Sequence, residues 1–233
     1  MTIAGEFERY AIYYAPPAEA AWGRFATHWL GWDMETGVEV PHPQVDDLPL
    51  PVAEITATPR KYGAHATIKP PFRLAEGMTR EGLEAACAAL CATQAPLRMD
   101  GLALARLGRF LALRPMGDTA ALDALAARAV AALDPFRAAA PEAELARRRA
   151  AGLSPAQEEN LARWGYPYVM GEFRFHITLS GKLPKPALGA VEAALTRDLV
   201  PLLLSPFEIP DLALVGEDAA GRFHLVHRYA LSG

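Results

Sequence analysis

The sequence contains only two cysteines in 233 residues, Cys87 and Cys91, four positions apart in a helix-like segment. This scarcity argues against a disulfide scaffold, and the pair is typical of small buried residues on one helix face. No apolar run approaches the ~18 residues of a membrane-spanning helix. Residues 1–17 also lack the basic and apolar regions of a signal peptide, so we expect a cytoplasmic protein without membrane contact.

An excess of basic charge is absent as well. The net charge is −4 and the isoelectric point is about 5.9. This balance argues against an extended nucleic-acid partner, because such proteins neutralise many phosphates with basic side chains. A small anionic substrate stays compatible with it, since the charge of one pocket can differ from the total. With 52% hydrophobic and 21% charged residues, the chain is typical of a folded globular protein.

Local patterns predict a chain of mixed α and β structure. Runs rich in β-forming residues predict strands at 8–16, 64–69, 97–107, 109–115, 172–180, 207–216 and 222–231. Helical spacing predicts helices at 17–29, 79–94, 118–133 and 186–199 and two more within 141–164, with Thr79 and Ser154 as N-caps. The second strand is expected to stop at Pro70 and Pro71. Residues 31–62 are rich in Pro, Gly and Asp and predict a long connection.

Two segments of the chain repeat the same order of short motifs. His65-Ala66-Thr67-Ile68 is followed by a predicted helix, by "LAL" at 102–104 and by "GRF" at 108–110. A second histidine motif, at 176–179, is followed by a predicted helix, by "LAL" at 212–214 and by "GRF" at 221–223. The shared order and near-equal spacing indicate a duplicated strand–helix–strand–strand unit.

Each copy of this unit carries a His-x-Thr motif on a predicted strand. Residues two apart on a strand point to the same face, so His65 projects with Thr67, and His176 with Thr178. One further step adds Lys69 to the first polar face and Ser180 to the second. Two lobes facing each other would bring both polar faces to one cleft.

The duplication predicts one bilobal α+β domain over residues 1–233, with two antiparallel sheets, outer helices and a central cleft. Lobe one would span roughly residues 50–117 and lobe two roughly residues 169–233. A helical insert would occupy roughly residues 118–168 between them. The N-terminal strand, at 8–15, would pair into one of the two sheets.

Two imidazoles and two hydroxyls in one cleft can cleave a phosphodiester without a metal ion or cofactor. A neutral histidine accepts the proton of the attacking water or hydroxyl, and a protonated histidine gives a proton to the leaving oxygen. Threonine hydroxyls can donate to the non-bridging phosphoryl oxygens. We therefore predict His65 and His176 as the acid–base pair and Thr67 and Thr178 as phosphate ligands, without assigning which histidine is the base.

Other residues are weaker candidates for the same cleft. Lys69 lies on the right face to meet a phosphate, although the prolines after it could turn it to solvent. Ser180 is the corresponding candidate of the second motif. Aromatic residues that could wall the substrate, or simply pack a core, are Tyr13, Tyr14, Trp164, Tyr166 and Tyr168; because Tyr13 and Tyr14 alternate along a strand, only one of them is expected to border the cleft.

Two further groups have structural interpretations. Arg147, Arg148 and Arg149 are typical of a solvated helix face, and at most one or two of them could reach a common pocket. His224 and His227 lie three apart on a predicted strand and therefore face opposite sides, so we expect no metal site there.

The paired motifs, the duplication and the chain length resemble the 2H phosphoesterase superfamily. More narrowly, "RYAIYYAP", "YGAHATIKPPFRLA", "LARRRAAGLSPAQEENL" and "RWGYPYVMGEFRFHITLSG" resemble its branch encoded in phosphonate-utilisation operons. The resemblance implies a two-lobed phosphodiesterase fold. It also implies that His65 with Thr67, and His176 with Thr178, form the catalytic pairs, and by association a substrate from phosphonate breakdown.

The expected function is therefore hydrolysis of a small cyclic or 2′-linked phosphodiester. One alternative is a protein that binds a nucleotide or phosphorylated metabolite without turnover. Another is the processing of RNA ends that carry a 2′,3′-cyclic phosphate. The sequence does not indicate an oligomeric state.

Overall fold

The structure is a computed structural model that describes residues 7–233. Residues 1–6, part of the segment that lacks a signal-peptide pattern, lie outside the described residues. The strands are β1 (Arg9–Tyr14), β2 (Trp32–Asp33), β3 (Val38–Glu39), β4 (Ala66–Phe72), β5 (Leu97–Met99), β6 (Gly101–Leu107), β7 (Phe110–Met116), β8 (Ile177–Thr178), β9 (Phe207–Ile209), β10 (Asp211–Glu217) and β11 (Phe223–Ala230). The helices are α1 (Ala21–Leu30), α2 (Val52–Ile55), α3 (Arg80–Cys91), α4 (Ala120–Ala132), α5 (Glu142–Arg149), α6 (Pro155–Trp164) and α7 (Lys185–Asp198).

Two antiparallel sheets carry the two histidine motifs. The four-stranded sheet has the order β11-β10-β1-β4; its edge strand β4 holds Thr67 and begins directly after His65. The three-stranded sheet has the order β6-β7-β8; its edge strand β8 holds Thr178 and begins directly after His176. Two short ribbons, β2-β3 and β5-β9, complete the pairing. The predicted α+β class with antiparallel sheets is confirmed.

The duplication appears as one element order in both halves, but the sheets do not follow the predicted contiguous lobes. β4, α3 and β5–β7 in the first half match β8, α7 and β9–β11 in the second. Each motif strand, however, pairs outside its own unit: β4 pairs with β1, in the sheet that also holds β10 and β11, and β8 pairs with β7 of the first half. The N-terminal strand β1 lies between β4 and β10, which joins the halves further.

One large apolar core lies between the sheets and the helices. It includes Trp29, Ile68, Leu83, Leu113 and Ile177, all at most 1% exposed. A second, smaller cluster covers the other face of the four-stranded sheet and includes Tyr13, Trp32 and Phe223. Burial on both faces fixes the register of β1, because a one-residue slip would exchange its two sets of side chains.

Local sequence signals position the helix starts as predicted. The Thr79 hydroxyl accepts a hydrogen bond from Gly82 N at 3.1 Å, and Ser154 forms a capping box with Gln157. The prediction that the first motif strand stops at Pro70 is wrong, because β4 runs on to Phe72. An edge strand tolerates proline, since no neighbouring strand requires its missing N–H on that side.

Among residues 7–233, no helix combines the length and the apolar character that crossing a membrane requires.

Candidate active site

The two histidine motifs lie side by side even though they belong to different sheets. Strands β4 and β8 approach within 8 Å between Cα atoms. Two hydrogen bonds fasten the end of the second motif to the segment that precedes the first: Trp29 Nε1 donates to Leu179 O at 2.7 Å, and Gly181 N donates to Ile55 O at 2.8 Å. Gly181 accommodates this close contact: an added Cβ would lie 3.2 Å from the Thr58 hydroxyl, so Thr58 would have to shift slightly.

A cavity of about 660 Å³ opens where the motifs meet, and we call it the cleft. Its volume falls in the range of small-molecule sites. The residues that line it are Arg9, Tyr13, Thr58, Pro59, Lys61, Tyr62, His65, Thr67, Pro70, Pro71, Phe110, Arg147, Arg148, Tyr166, Thr178, Ser180, Gly181 and Lys182. Both motifs therefore contribute to one cavity.

Backbone carbonyls orient the two motif histidines in the same way. His65 Nδ1 donates to Gly63 O at 3.0 Å, and His176 Nδ1 donates to Arg174 O at 2.8 Å. In each motif the acceptor is the carbonyl two residues earlier. The bond holds the proton of the neutral ring on Nδ1, so that Nε2 carries the lone pair.

The first of these carbonyls depends on a glycine. Gly63 has a φ of 67°, in the left-handed region that disfavours residues with a Cβ. A Cβ at this position would also lie 2.8 Å from Met34 Cε. Gly63 therefore permits the tight turn that aims its carbonyl at His65.

Desolvation keeps the His65 ring neutral. Tyr13 stacks on the ring with 3.9 Å between the centroids, and Tyr62 lies 5.7 Å away. Removal from water lowers the pKa of His65 from its usual 6.5 to about 4. The hydrogen bond to Gly63 raises this pKa, whereas the charge of His176 lowers it further. His65 is thus unprotonated at neutral pH in the free protein.

We expect the His65 ring to stay neutral down to about pH 4 in the free protein. The unfolded chain would bind the proton more tightly between the folded pKa and the unfolded value of about 6.5, so His65 lowers the stability as the pH falls through that window. Nuclear magnetic resonance titration of the histidine Cε1–H signals, assigned with His65→Ala, measures the midpoint. A midpoint for His65 between about 6 and 7 would contradict the desolvated, neutral ring.

His176 lies beside the cleft. It is not among the residues that line the cavity, but its ring centroid is 6.1 Å from that of Phe110, which does line it. Its effect on the pKa of His65 also reflects the proximity of the two imidazoles. His176 keeps more contact with solvent than a core residue, because β8 is an edge strand.

Both motif threonines face the cleft. The Thr67 hydroxyl donates to Nε2 of His65 at 3.3 Å, which holds the hydroxyl next to the lone pair of the ring. Thr178 pairs with Ala112 across β7 and β8 and points its side chain into the same cavity. The two-residue spacing thus predicted the facing of both threonines.

The prediction that Lys69 joins the first polar face is wrong. Lys69 is 2% exposed, donates to Val130 O at 3.1 Å and lies 3.8 Å from Asp134. Burial lowers its pKa to about 8 against the opposing effect of Asp134. The cause is a shift of register: Thr67 pairs with Tyr13 but Lys69 pairs with Ile12, so Ile68 is an extra residue that turns Lys69 to the other face.

Ser180 lines the cleft, but its hydroxyl is already engaged. It accepts a hydrogen bond from Leu111 N at 2.9 Å and donates its proton to Gly181 O at 3.0 Å. Ser180 therefore has no proton left for a phosphate. Its bonds instead attach the end of the second motif to β7.

We expect Ser180→Ala to lower the free energy of unfolding by about 1–3 kcal/mol, because the buried Leu111 N–H loses its acceptor. Its effect on turnover should be smaller than that of Thr178→Val. Denaturant unfolding and steady-state kinetics on the two variants test both parts. Unchanged stability together with a large loss of turnover would instead indicate a direct role for the Ser180 hydroxyl.

Only two of the five predicted aromatic residues line the cleft, Tyr13 and Tyr166. Tyr14 faces the main core beside Phe207, as the alternation along β1 requires. Trp164 packs under Arg163 at the end of α6, and Tyr168 is 46% exposed with its ring 5.7 Å from that of Tyr166. The predictions for Tyr14, Trp164 and Tyr168 as walls are therefore wrong.

Several cleft residues have no place in the motif pattern. Thr58, Lys61 and Tyr62 precede the first motif, and Lys182 follows the second in "SGK". Arg9 lies four residues before Tyr13 on β1 and therefore on the same face, so the alternation of side chains along this strand could have predicted its position in the cleft. Arg147 and Arg148 reach the cleft while Arg149 pairs with Glu158 outside it, which agrees with the limit set by helix geometry.

Within residues 7–233, no group of three or more His, Cys, Asp or Glu side chains is arranged to hold a metal ion. His224 instead bonds to Asp218 through Nε2 at 2.7 Å.

The chain belongs to the family described as "Protein of unknown function (DUF1045)", whose model matches residues 67–224. The matched span contains Thr67, His176 and Thr178 and begins two residues after His65.

Two curated relatives are named "Ribose 1,5-bisphosphate phosphokinase PhnN". The protein from Janthinobacterium sp. (strain Marseille) is 39% identical over 75% of this chain and 39% of its own length. The protein from Laribacter hongkongensis (strain HLHK9) is 34% identical over 91% of this chain and 49% of its own length. The chain thus spans half or less of the curated relatives that it matches.

Three solved structures have a chain trace similar to that of this protein, with TM-scores below 0.5 and less than 20% sequence identity. The E. coli LigT structure complexed with NADP+ has a TM-score of 0.46 at 17% identity and covers 98% of this chain and 100% of its own. The structure of TT0787 of Thermus thermophilus has a TM-score of 0.44 at 19% identity, over 97% of this chain and 98% of its own. A structure named simply "phosphoesterase" has a TM-score of 0.44 at 16% identity, over 98% of this chain and 100% of its own.

Proposed function

We propose that this protein hydrolyses a small cyclic or 2′-linked phosphodiester by metal-independent acid–base catalysis with His65 and His176. The observation that carries the proposal is the matched orientation of the two rings. Each donates Nδ1–H to the carbonyl two residues earlier, and each belongs to a motif whose threonine lines the same cleft. An acid–base pair requires two such oriented imidazoles.

The low pKa of His65 favours this residue as the base. Nε2 of neutral His65 accepts a proton from water as the water oxygen bonds to phosphorus. On the opposite side, Nε2 of protonated His176 gives its proton to the leaving sugar oxygen as the phosphorus–oxygen bond breaks. The product is a phosphomonoester, and proton exchange with solvent restores both rings. A bound phosphate raises the pKa of His65 towards neutrality, which strengthens the base when substrate is present.

The threonines and the basic residues stabilise the charge on the phosphoryl group. In the substrate complex the Thr67 hydroxyl leaves Nε2 of His65 and donates to one non-bridging oxygen, and the Thr178 hydroxyl donates to the other. Arg9, which lines the cleft on the same face of β1 as Tyr13, is paired with Glu217, so its guanidinium is held in place as a hydrogen-bond donor. Such preorganised donors act more strongly in a partly dry cavity than in water.

The names of the curated relatives support a substrate with a phosphorylated ribose, and the name PhnN supports a place in phosphonate breakdown. The chain has no G-x-x-x-x-G-K-[ST] segment, the phosphate-binding loop of many kinases. We therefore propose hydrolysis, not phosphoryl transfer from a nucleotide, for this chain.

A panel of ribose and nucleoside cyclic phosphates followed by phosphorus nuclear magnetic resonance tests the proposal. We expect wild-type protein to convert at least one of them to a phosphomonoester, with or without a chelator, and His65→Ala to lose this conversion. If the ligands raise the thermal stability of the protein but are all recovered unchanged, the protein binds these compounds without hydrolysing them. A reaction confined to RNA that ends in a 2′,3′-cyclic phosphate would assign it to RNA end processing.

A further inference from the structure

The cleft is strongly basic in a chain that is acidic overall. Five of the described residues that line it are cationic, none is Asp or Glu, and the net charge of the whole chain is −4. The cationic residues are Arg9, Lys61, Arg147, Arg148 and Lys182. A local field of this sign selects for anions.

The five cations differ in whether the protein already neutralises them. Arg9 pairs with Glu217, and Arg148 pairs with Glu144 at 2.6 Å while its guanidinium lies over the Tyr166 ring at 4.5 Å. Lys61, Arg147 and Lys182, which we call the cationic rim, form no ion pair within the described part of the chain. Arg149, two residues after Arg147, pairs with Glu142 and Glu158 instead.

The rim carries more charge than one phosphodiester can balance. A diester has a single negative charge, whereas three uncompensated cations surround the cleft. A phosphomonoester adds about 1.5 to 2 negative charges at neutral pH. A ligand that carries both groups would therefore match the rim.

The rim comes from three segments that are distant in sequence. Lys61 precedes the first motif, Lys182 follows the second, and Arg147 is on α5 between them. Gly181 places Lys182 beside the segment of Lys61, through its bond to Ile55 and its contact with Thr58. A site built from three segments is more specific than a charged face on one helix.

Resting on the proposed function, we infer that the substrate carries a second phosphoryl group, bound by Lys61, Arg147 and Lys182, in addition to the diester that the histidines cleave. The cleft, at about 660 Å³, has room for a sugar or nucleoside with two phosphoryl groups. Tyr62 and Tyr166, which line the cleft, offer flat faces for the part of the ligand between them.

Calorimetry with two product-like probes tests this inference without requiring turnover. We expect adenosine 3′,5′-bisphosphate to bind at least about tenfold more tightly than adenosine 3′-monophosphate, because a charge-assisted hydrogen bond contributes more than a neutral one. Arg147→Ala combined with Lys182→Ala should reduce the preference to about threefold or less, because the bisphosphate loses more affinity than the monophosphate does. Matched controls are Arg149→Ala and Lys185→Ala, which remove nearby cations that do not line the cleft.

The outcomes separate this inference from the proposed function. Equal affinity for the two probes, or a preference that survives in the double variant, overturns the second phosphoryl site even if cyclic phosphates are hydrolysed. A short RNA that binds more than about tenfold more tightly than the bisphosphate would also overturn it. A rim-dependent preference without any hydrolysis would support the site and reject the catalytic role of the histidines.

Discussion

Replacing His65 or His176 with alanine is expected to lower kcat for a cyclic phosphodiester by about 10²–10⁴-fold, the usual contribution of one positioned acid or base. In the proposed mechanism the two rings act in the same step, one on the attacking water and one on the leaving oxygen. Removing both should therefore cost less than the product of the separate losses, because residues that act as a unit are not additive. Steady-state kinetics on the two single variants and the double variant measure this.

His28→Ala is the matched control for both variants. His28 also donates through Nδ1 to a backbone carbonyl, that of Pro41 at 3.0 Å, but it lines a different cavity together with Arg24 and Thr27. Its replacement should leave kcat unchanged. Wild-type activity in the double variant of His65 and His176 would remove the acid–base mechanism altogether.

Replacing Thr67 or Thr178 with valine is expected to raise the activation free energy by about 1–3 kcal/mol, which lowers kcat by about 5–150-fold. Valine has nearly the shape of threonine but cannot donate to a phosphoryl oxygen. Thr67→Val has a second effect, because it removes the hydroxyl bound to Nε2 of His65 at 3.3 Å. We therefore expect Thr67→Val to change the pH profile of kcat as well, and Thr178→Val to change mainly its height.

Serine at these positions distinguishes a lost hydroxyl from a packing defect. Thr67→Ser and Thr178→Ser keep the donor and lose only a methyl group, so they should recover most of the lost rate. If serine and valine variants fail equally while remaining folded, the hydroxyls do not contact the phosphoryl group.

The sequence predicted which motif residues face the cleft more completely than it predicted the aromatic walls. A two-residue spacing on a strand was enough to align His65 with Thr67 and to turn Thr178 to the same cavity. Lys69 does not share the face of His65 and Thr67, because Ile68 is an extra residue that shifts the register between β4 and β1. A bulge depends on how two strands pair, and the sequence of one strand does not reveal it.

The sequence also did not predict which strands form each sheet. The duplication correctly indicated two units of the same element order, but β4 and β8 each pair outside their own unit. Strand partners depend on tertiary packing, and the local β-propensity of a segment does not show which strand it will pair with. For the same reason β8 is only two residues long although residues 172–180 have the pattern of a full strand.

The sequence does not indicate Lys61 and Lys182, which belong to no periodic pattern, whereas helix geometry allows one or two of the arginines at 147–149 to reach a pocket. Arg147 and Arg149 look equivalent in the sequence, yet only Arg147 lines the cleft and Arg149 pairs with Glu158. The direction of α5, set by its packing, decides between them.

A crystal structure with bound vanadate, which imitates a phosphoryl group in transfer, tests the central claim most directly. The account predicts one vanadate in the cleft, with Nε2 of His65 and Nε2 of His176 each within about 3.2 Å of oxygens on opposite sides of it. Imidazoles at 65 and 176 that open into different cavities, or a vanadate that only one of them can reach, would contradict the shared site on which the proposed reaction depends.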